Sequence, residues 1–256
     1  MLLALDVGNS NISAGLFDEN KELKFLAALD TDSRKTADQI AVDLMNLFQL
    51  YHFDIALVTG SIYCSVVPPM NFMIEKALFR LMGKLPLKVG PGIRTGLNIR
   101  TEIHNQLGTD IVSGAVAAIE KYEAPIIMID MGTATTFSFI TEKKSFEGGL
   151  IYPGVKVSLE ALSHRTAQLP DVSLVKPGSV VGKNTEDCMQ SGIVYGTAGM
   201  IDGIVDRIQP LCHGKKATVV ATGGNAPVIV KYCHTPIIYD KNLVMEGLYS
   251  IYSKNK

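Results

Sequence analysis

At 256 residues, with 47% hydrophobic and 19% charged side chains, the chain can bury one large core or two small ones and is excluded from the disordered class. Lys and Arg number 24 against 25 Asp and Glu, no run of like charge occurs, and Trp is absent. Those features disfavour nucleic-acid or membrane binding through bulk charge and a base-stacking surface.

The opening run Leu2–Leu5, followed by Asp6, is too short for the core of a signal peptide and lacks a basic leader. No apolar stretch approaches the length that spans a bilayer. Cys64, Cys188, Cys212 and Cys233 lie far apart with no Cys-x-x-Cys or Cys/His pairing, which predicts neither a zinc site nor a disulfide framework and points to the reducing cytoplasm.

Short apolar and β-branched runs predict strands at Leu2–Val7, Ser13–Asp18, Lys24–Leu29, Ile55–Ser61, Pro125–Asp130, Thr135–Thr141, Gly149–Tyr152 and Ala217–Thr222. Thr36 reads as the N-cap of an amphipathic helix with Ile40, Leu44, Leu47, Phe48 and Tyr51 on one face. Further helices are expected over about Thr109–Tyr122 and about Thr185–Ile208. The last carries Gly192, Gly196, Gly199 and Gly203 near one face. Each interior glycine costs roughly 1 kcal/mol against Ala, so this face predicts close approach of another backbone, inside the domain or across a homodimer, unless the helix is simply weak.

Leu2–Asn11 and Ile126–Thr135 look alike: a buried strand, then Asp-x-Gly-[Asn/Thr]-x-[Asn/Thr], then another strand, about half a chain length apart. The simplest reading is a duplicated α/β domain, 1–114 and 115–256, with no flexible linker. In the first hairpin Gly8 permits a tight turn, Asn9, Ser10 and Asn11 offer short polar groups and N–H donors to an anion, and Asp6 can hold phosphate-bound Mg²⁺. One such hairpin is equally an ordinary Asn-rich turn. Two facing hairpins can grip one nucleotide's phosphates. A third loop, Thr222-Gly223-Gly224-Asn225, lets a flat base or ribose lie against backbone.

These three loops resemble the actin, hexokinase and acetate kinase fold: tandem ribonuclease-H-like halves with ATP in the cleft between them. The chain more specifically resembles the type III pantothenate kinase family over nearly its full length. The stretches that carry the resemblance are Asp6–Asn11, Ser65–Pro69, Gly90–Asn98, Gly108–Asp110, Asp130–Thr135, Gly148–Gly154, Thr166–Pro170 and Gly182–Thr185. The resemblance implies ATP-dependent phosphorylation of a primary hydroxyl on pantothenate in coenzyme A synthesis, by a homodimer that needs Mg²⁺ and K⁺ or NH₄⁺. It places the ATP phosphates against Asp6, Val7, Gly8, Asn9, Ser10, Asn11, Ile12, Ser13 and Thr133, with potassium at Asp130. The substrate would meet Gly108, Thr109, Asp110, Ile111, Thr185 and position 101, and Asp110 would be the general base.

The chemistry asks for such a base, because an attacking hydroxyl must lose its proton. From spacing alone Asp110 equally complements the positive end of its helix. Three positions depart from the family pattern: Ile111 stands at its Arg, Thr101 at its Tyr and His104 at its Pro. A missing Arg contact to a carboxylate weakens binding roughly ten- to a hundredfold, with Arg100 or Arg165 as the available substitutes. Such a change also admits a kinase for another small alcohol or a non-catalytic nucleotide sensor. Thr185 is equally a plain N-cap.

Overall fold

The computed structural model describes residues 1–101 and 107–256; His104 lies outside them. The chain forms two compact units, one of Met1–Gly96, Ile103–Ala117 and Leu243–Lys256, the other of Leu97–Glu102 and Ala118–Asn242.

In the first unit β1 (Leu2–Val7), β2 (Asn11–Phe17) and β3 (Leu23–Asp30) form an antiparallel meander. After helix α1 (Ala37–Leu50), strand β4 (Gly60–Ser65) pairs parallel to β1. Helix α2 (Asn71–Met82) then leads to β5 (Leu87–Lys88), parallel to β4, which completes the order β3-β2-β1-β4-β5. β1 is an almost unbroken apolar run because it lies centrally and is covered on both faces.

Thr36 caps α1 as expected: its hydroxyl accepts from Gln39 N at 3.3 Å, while Gln39 Oε1 accepts from Thr36 N at 2.8 Å. The predicted strand Ile55–Ser61 is corrected. Asp54 caps a 3₁₀ turn at Ile55–Leu57 by accepting from Ala56 N at 2.9 Å, and the strand starts only at Gly60. The local bond to Asp54 outcompetes the β-branched preference of the run.

The second sheet repeats the plan. Short β6 (Asn98–Ile99) is its far edge, and α3 (Thr109–Lys121) precedes the meander β7 (Ile126–Met131), β8 (Ala134–Ile140) and β9 (Ser145–Pro153). Helices α4 (Val155–Arg165) and α5 (Thr185–Ile208) lead to β10 (Thr218–Thr222), parallel to β7. Helix α6 (Ala226–Ile229) leads to β11 (Ile238–Tyr239), parallel to β10. The order β11-β10-β7-β8-β9-β6 therefore contains the first sheet's plan plus one added strand. β1 and β7 share the same burial pattern, residue for residue. The duplicated ribonuclease-H-like design expected from the sequence is thus present in strand order.

Helix α7 (Leu243–Lys254) returns to the first unit. The boundary 114/115 expected between the halves falls inside α3. Among the described residues no helix is long and apolar enough to cross a membrane.

Candidate functional site

In the first unit β1 carries Asp6 near its C-terminal end, and the chain turns back through Gly8, whose N–H donates to Asn11 O at 3.0 Å. Asn9, Ser10 and Asn11 are exposed at the turn, Val7 and Ile12 are buried, and Ser13 stands opposite Asp6 in the antiparallel register. Val7 and Ile12 thus put their side chains into the core and offer only backbone groups to a ligand. Thr31 braces the turn: its hydroxyl donates to Gly8 O at 2.7 Å and its N–H to Ser10 O at 3.1 Å.

Asp110 lies in the first turn of α3. Its Oδ1 accepts from Ile111 N at 2.8 Å. A Cβ on Gly108 would collide with Asp110 Oδ1, so glycine there makes room for the carboxylate. Thr109, expected at the substrate, commits its hydroxyl to strand β4: Oγ1 accepts from Ser65 N at 3.0 Å and donates to Ser65 O at 3.1 Å. That pair of hydrogen bonds pins the start of α3, and with it Asp110, to the end of β4.

The two carboxylates feel each other. Burial pushes the Asp6 carboxyl up to about 6, the charge on Asp110 pushes the same way, and a hydrogen bond from the Cys64 thiol opposes both. Asp110 is likewise raised by desolvation, against the Ile111 N–H. Paired carboxylates with raised pKa are the electrostatic mark of a functional site. They also fit a divalent cation, a hard ion that relieves their repulsion and takes oxygen ligands. No group of three or more His, Cys, Asp or Glu able to hold a metal occurs among the described residues.

In the second unit Asp130 ends β7 in the place equivalent to Asp6, and Gly132 N donates to Ala134 O at 3.0 Å across the turn that holds Thr133. Gly154 lies against this turn, its N–H donating to Thr133 O at 3.1 Å, where any Cβ would strike the Thr133 and Gly132 carbonyls. The loop after β10 clasps the same turn. Asn225 donates to Gly132 O from Nδ2 at 3.1 Å and to Met131 O from its backbone at 3.2 Å. Gly223, expected to seat a base or ribose, adopts φ +90 and gives its space to the Asp130 carboxylate and the Met131 backbone.

Thr185 is exposed, and the N-cap reading is corrected to its neighbour: Asn184 Oδ1 accepts from Asp187 N at 2.9 Å. The Thr101 hydroxyl is buried without a hydrogen-bond partner among the described residues. Arg100 Nε lies 3.9 Å from Glu147, and Arg165 ends α4 in an exposed position. Cys64, whose thiol donates to Asp6 Oδ1, and Ser113, one turn beyond Asp110, were not singled out by sequence reasoning. Only the parallel register that sets Cys64 beside Asp6 reveals the first of them.

A strand-end carboxylate behind a polar hairpin, repeated in two ribonuclease-H-like units, with an Asp opening a helix in the first of them, is the arrangement of the actin-like ATPase fold. The fold is similar to that of the activator of the 2-hydroxyisocaproyl-CoA dehydratase from Clostridium difficile with bound ADPNP. That likeness has a TM-score of 0.58 at 11% identity and covers 99% of this chain and 95% of that one. The family described as type III pantothenate kinase matches residues 2–207. A type III pantothenate kinase of Brevibacillus brevis is 44% identical over 256 residues, covering 100% of both chains. One of Bacillus cytotoxicus is 41% identical over 255 residues, covering 100% of this chain and 97% of the other. The chain belongs to the type III pantothenate kinase family.

Proposed function

We propose that the protein transfers the γ-phosphoryl group of ATP to the primary hydroxyl of pantothenate, the first step of coenzyme A biosynthesis, in the cytoplasm where both ATP and the product are used. The observation that carries this reading is the Asp6–Asp110 pair, set beside the polar hairpin of a chain that belongs to this family along its length.

Asp110 accepts the hydroxyl proton as the oxygen attacks the γ-phosphorus, and the bond from that phosphorus to the β–γ bridging oxygen breaks, releasing ADP. Asp6 positions the Mg²⁺-bound phosphates, and the hairpin through Ser13 supplies N–H and hydroxyl donors to them. Mg²⁺, when bound, neutralises charge on the phosphoryl oxygens. In the second unit Thr133 contributes a phosphate contact and Asp130 takes potassium or ammonium. The family resemblance assigns Gly108, Ile111, Thr101 and Thr185 to the acceptor, and Thr109 acts by anchoring Asp110. Incubation with ATP, Mg²⁺, K⁺ and pantothenate is expected to yield 4′-phosphopantothenate by mass spectrometry. No product at millimolar pantothenate would reject the reading.

The active form is a homodimer. No described residue comes within 4 Å of a Cβ built on Gly192, Gly196 or Gly199 of α5, so the close approach that offsets their helical cost is not made within the described chain. Leu150, Ile151, Tyr152, Val157, Leu162, Val180 and Val181 of the same unit are also exposed, apolar side chains that a second copy would cover. Light scattering is expected to give twice the 27.7 kDa chain mass, and Gly196→Leu to give a folded monomer. A monomeric parent protein would refute this.

A further inference from the structure

Cys64 lies directly opposite Asp6 in the parallel pairing of β4 with β1, and it is wholly buried. Its Sγ is 3.2 Å from Asp6 Oδ1. Ser113, one turn beyond Asp110 on α3 and also wholly buried, donates its hydroxyl to Thr109 O at 2.8 Å and lies within hydrogen-bonding reach of the Cys64 sulfur. The thiol therefore touches the strand end that carries Asp6 on one side and the helix that carries Asp110 on the other.

We infer that Cys64 is a positioning residue for phosphoryl transfer: its S–H orients the Asp6 carboxylate toward the Mg²⁺-bound phosphates. The inference rests on the reading of Asp6 as the carboxylate that positions Mg²⁺ and ATP. A thiol is a weak donor, yet it meets a carboxylate that is desolvated and repelled by Asp110, where any donor that holds one oxygen counts. An apolar side chain at 64 leaves Asp6 Oδ1 without this donor and free to turn away from Asp110.

The test is calorimetric binding of ADPNP, with and without Mg²⁺, to the parent protein and to Cys64→Ala, Cys64→Ser, Cys64→Val and Asp6→Asn, alongside thermal unfolding. Cys64→Ala is expected to weaken Mg²⁺–ADPNP binding about five- to tenfold, the scale of one hydrogen bond from a weak donor to a charged acceptor. Metal-free ADPNP binding stays unchanged. Cys64→Ser, which keeps a donor, is expected to restore parent affinity, and Cys64→Val, which fills the volume without one, to repeat the loss even if the Ala variant does not fold. A lowered unfolding temperature with Mg²⁺–ADPNP affinity intact in the Ala or Val variant overturns the inference, because Cys64 is then a packing residue only. The reading of Asp6 survives that result if Asp6→Asn still abolishes the Mg²⁺-dependent gain. Should Asp6→Asn keep that gain, both fall.

Discussion

Asp110→Asn is expected to lower kcat by about 10²–10⁴-fold, the usual contribution of a positioned general base, while the unfolding temperature holds or rises. The amide keeps the size of the carboxylate and can still accept the Ile111 N–H, so the first turn of α3 stays formed. What disappears is a group able to take the hydroxyl proton. The stability side follows from the raised pKa of Asp110: a carboxyl lifted by desolvation is one whose charge the fold pays to bury. Removing that charge relieves the cost and also the repulsion that helps to raise Asp6. A residue that merely complemented the positive end of its helix would behave in the opposite way, losing typically 0.3–1 kcal/mol of stability with turnover unchanged. Steady-state ADP release and thermal unfolding on the same preparation separate the two roles. Unaltered kcat in Asp110→Asn means another group takes the proton.

Gly247→Ala is expected to lower the unfolding temperature by about 6–12 °C, taking roughly 3 kcal/mol for a methyl forced into packed backbone in a chain of this size. Gly247 lies in α7, and a Cβ there would collide with the carbonyl of Ser113, a main-chain group that cannot swing aside as a side chain can. Ser113 is one turn from Asp110, so the displaced helix also carries the base, and turnover is expected to fall with stability. Differential scanning calorimetry reads the first effect. A midpoint within about 2 °C of the parent would show that α3 and α7 are not held this close.

Much of this architecture is legible in the residues because its signals are local. The runs Leu-Leu-Ala-Leu-Asp-Val and Ile-Ile-Met-Ile-Asp-Met announce central strands and, by their likeness, a duplication. Thr36 and Gln39 announce a helix start. What escapes the sequence depends on partners far along the chain. Nothing around Thr109 tells that its hydroxyl is spent on Ser65, forty-four positions earlier, nor that Gly223 gives its space to Asp130. Cys64 reads only as one of four dispersed cysteines until the parallel register sets it against Asp6. Ile55–Ser61 misled for a related reason, since a single side-chain bond from Asp54 outweighs β propensity that is weak by nature.

The return of α7 bears on the order in which the molecule can be made. Its side chains finish the first unit: Asn255 clamps Arg94 by accepting from its N–H at 3.0 Å and donating to its carbonyl at 2.8 Å, Lys254 Nζ donates to Thr95 O at 2.9 Å, and Tyr252 fills the space that Gly60 leaves open. A ribosome adds these residues after the described strands of both sheets have been synthesised. The nascent N-terminal sheet, with Asp6 and Asp110 already synthesised, therefore stays unsealed by α7 through the translation of the whole second unit.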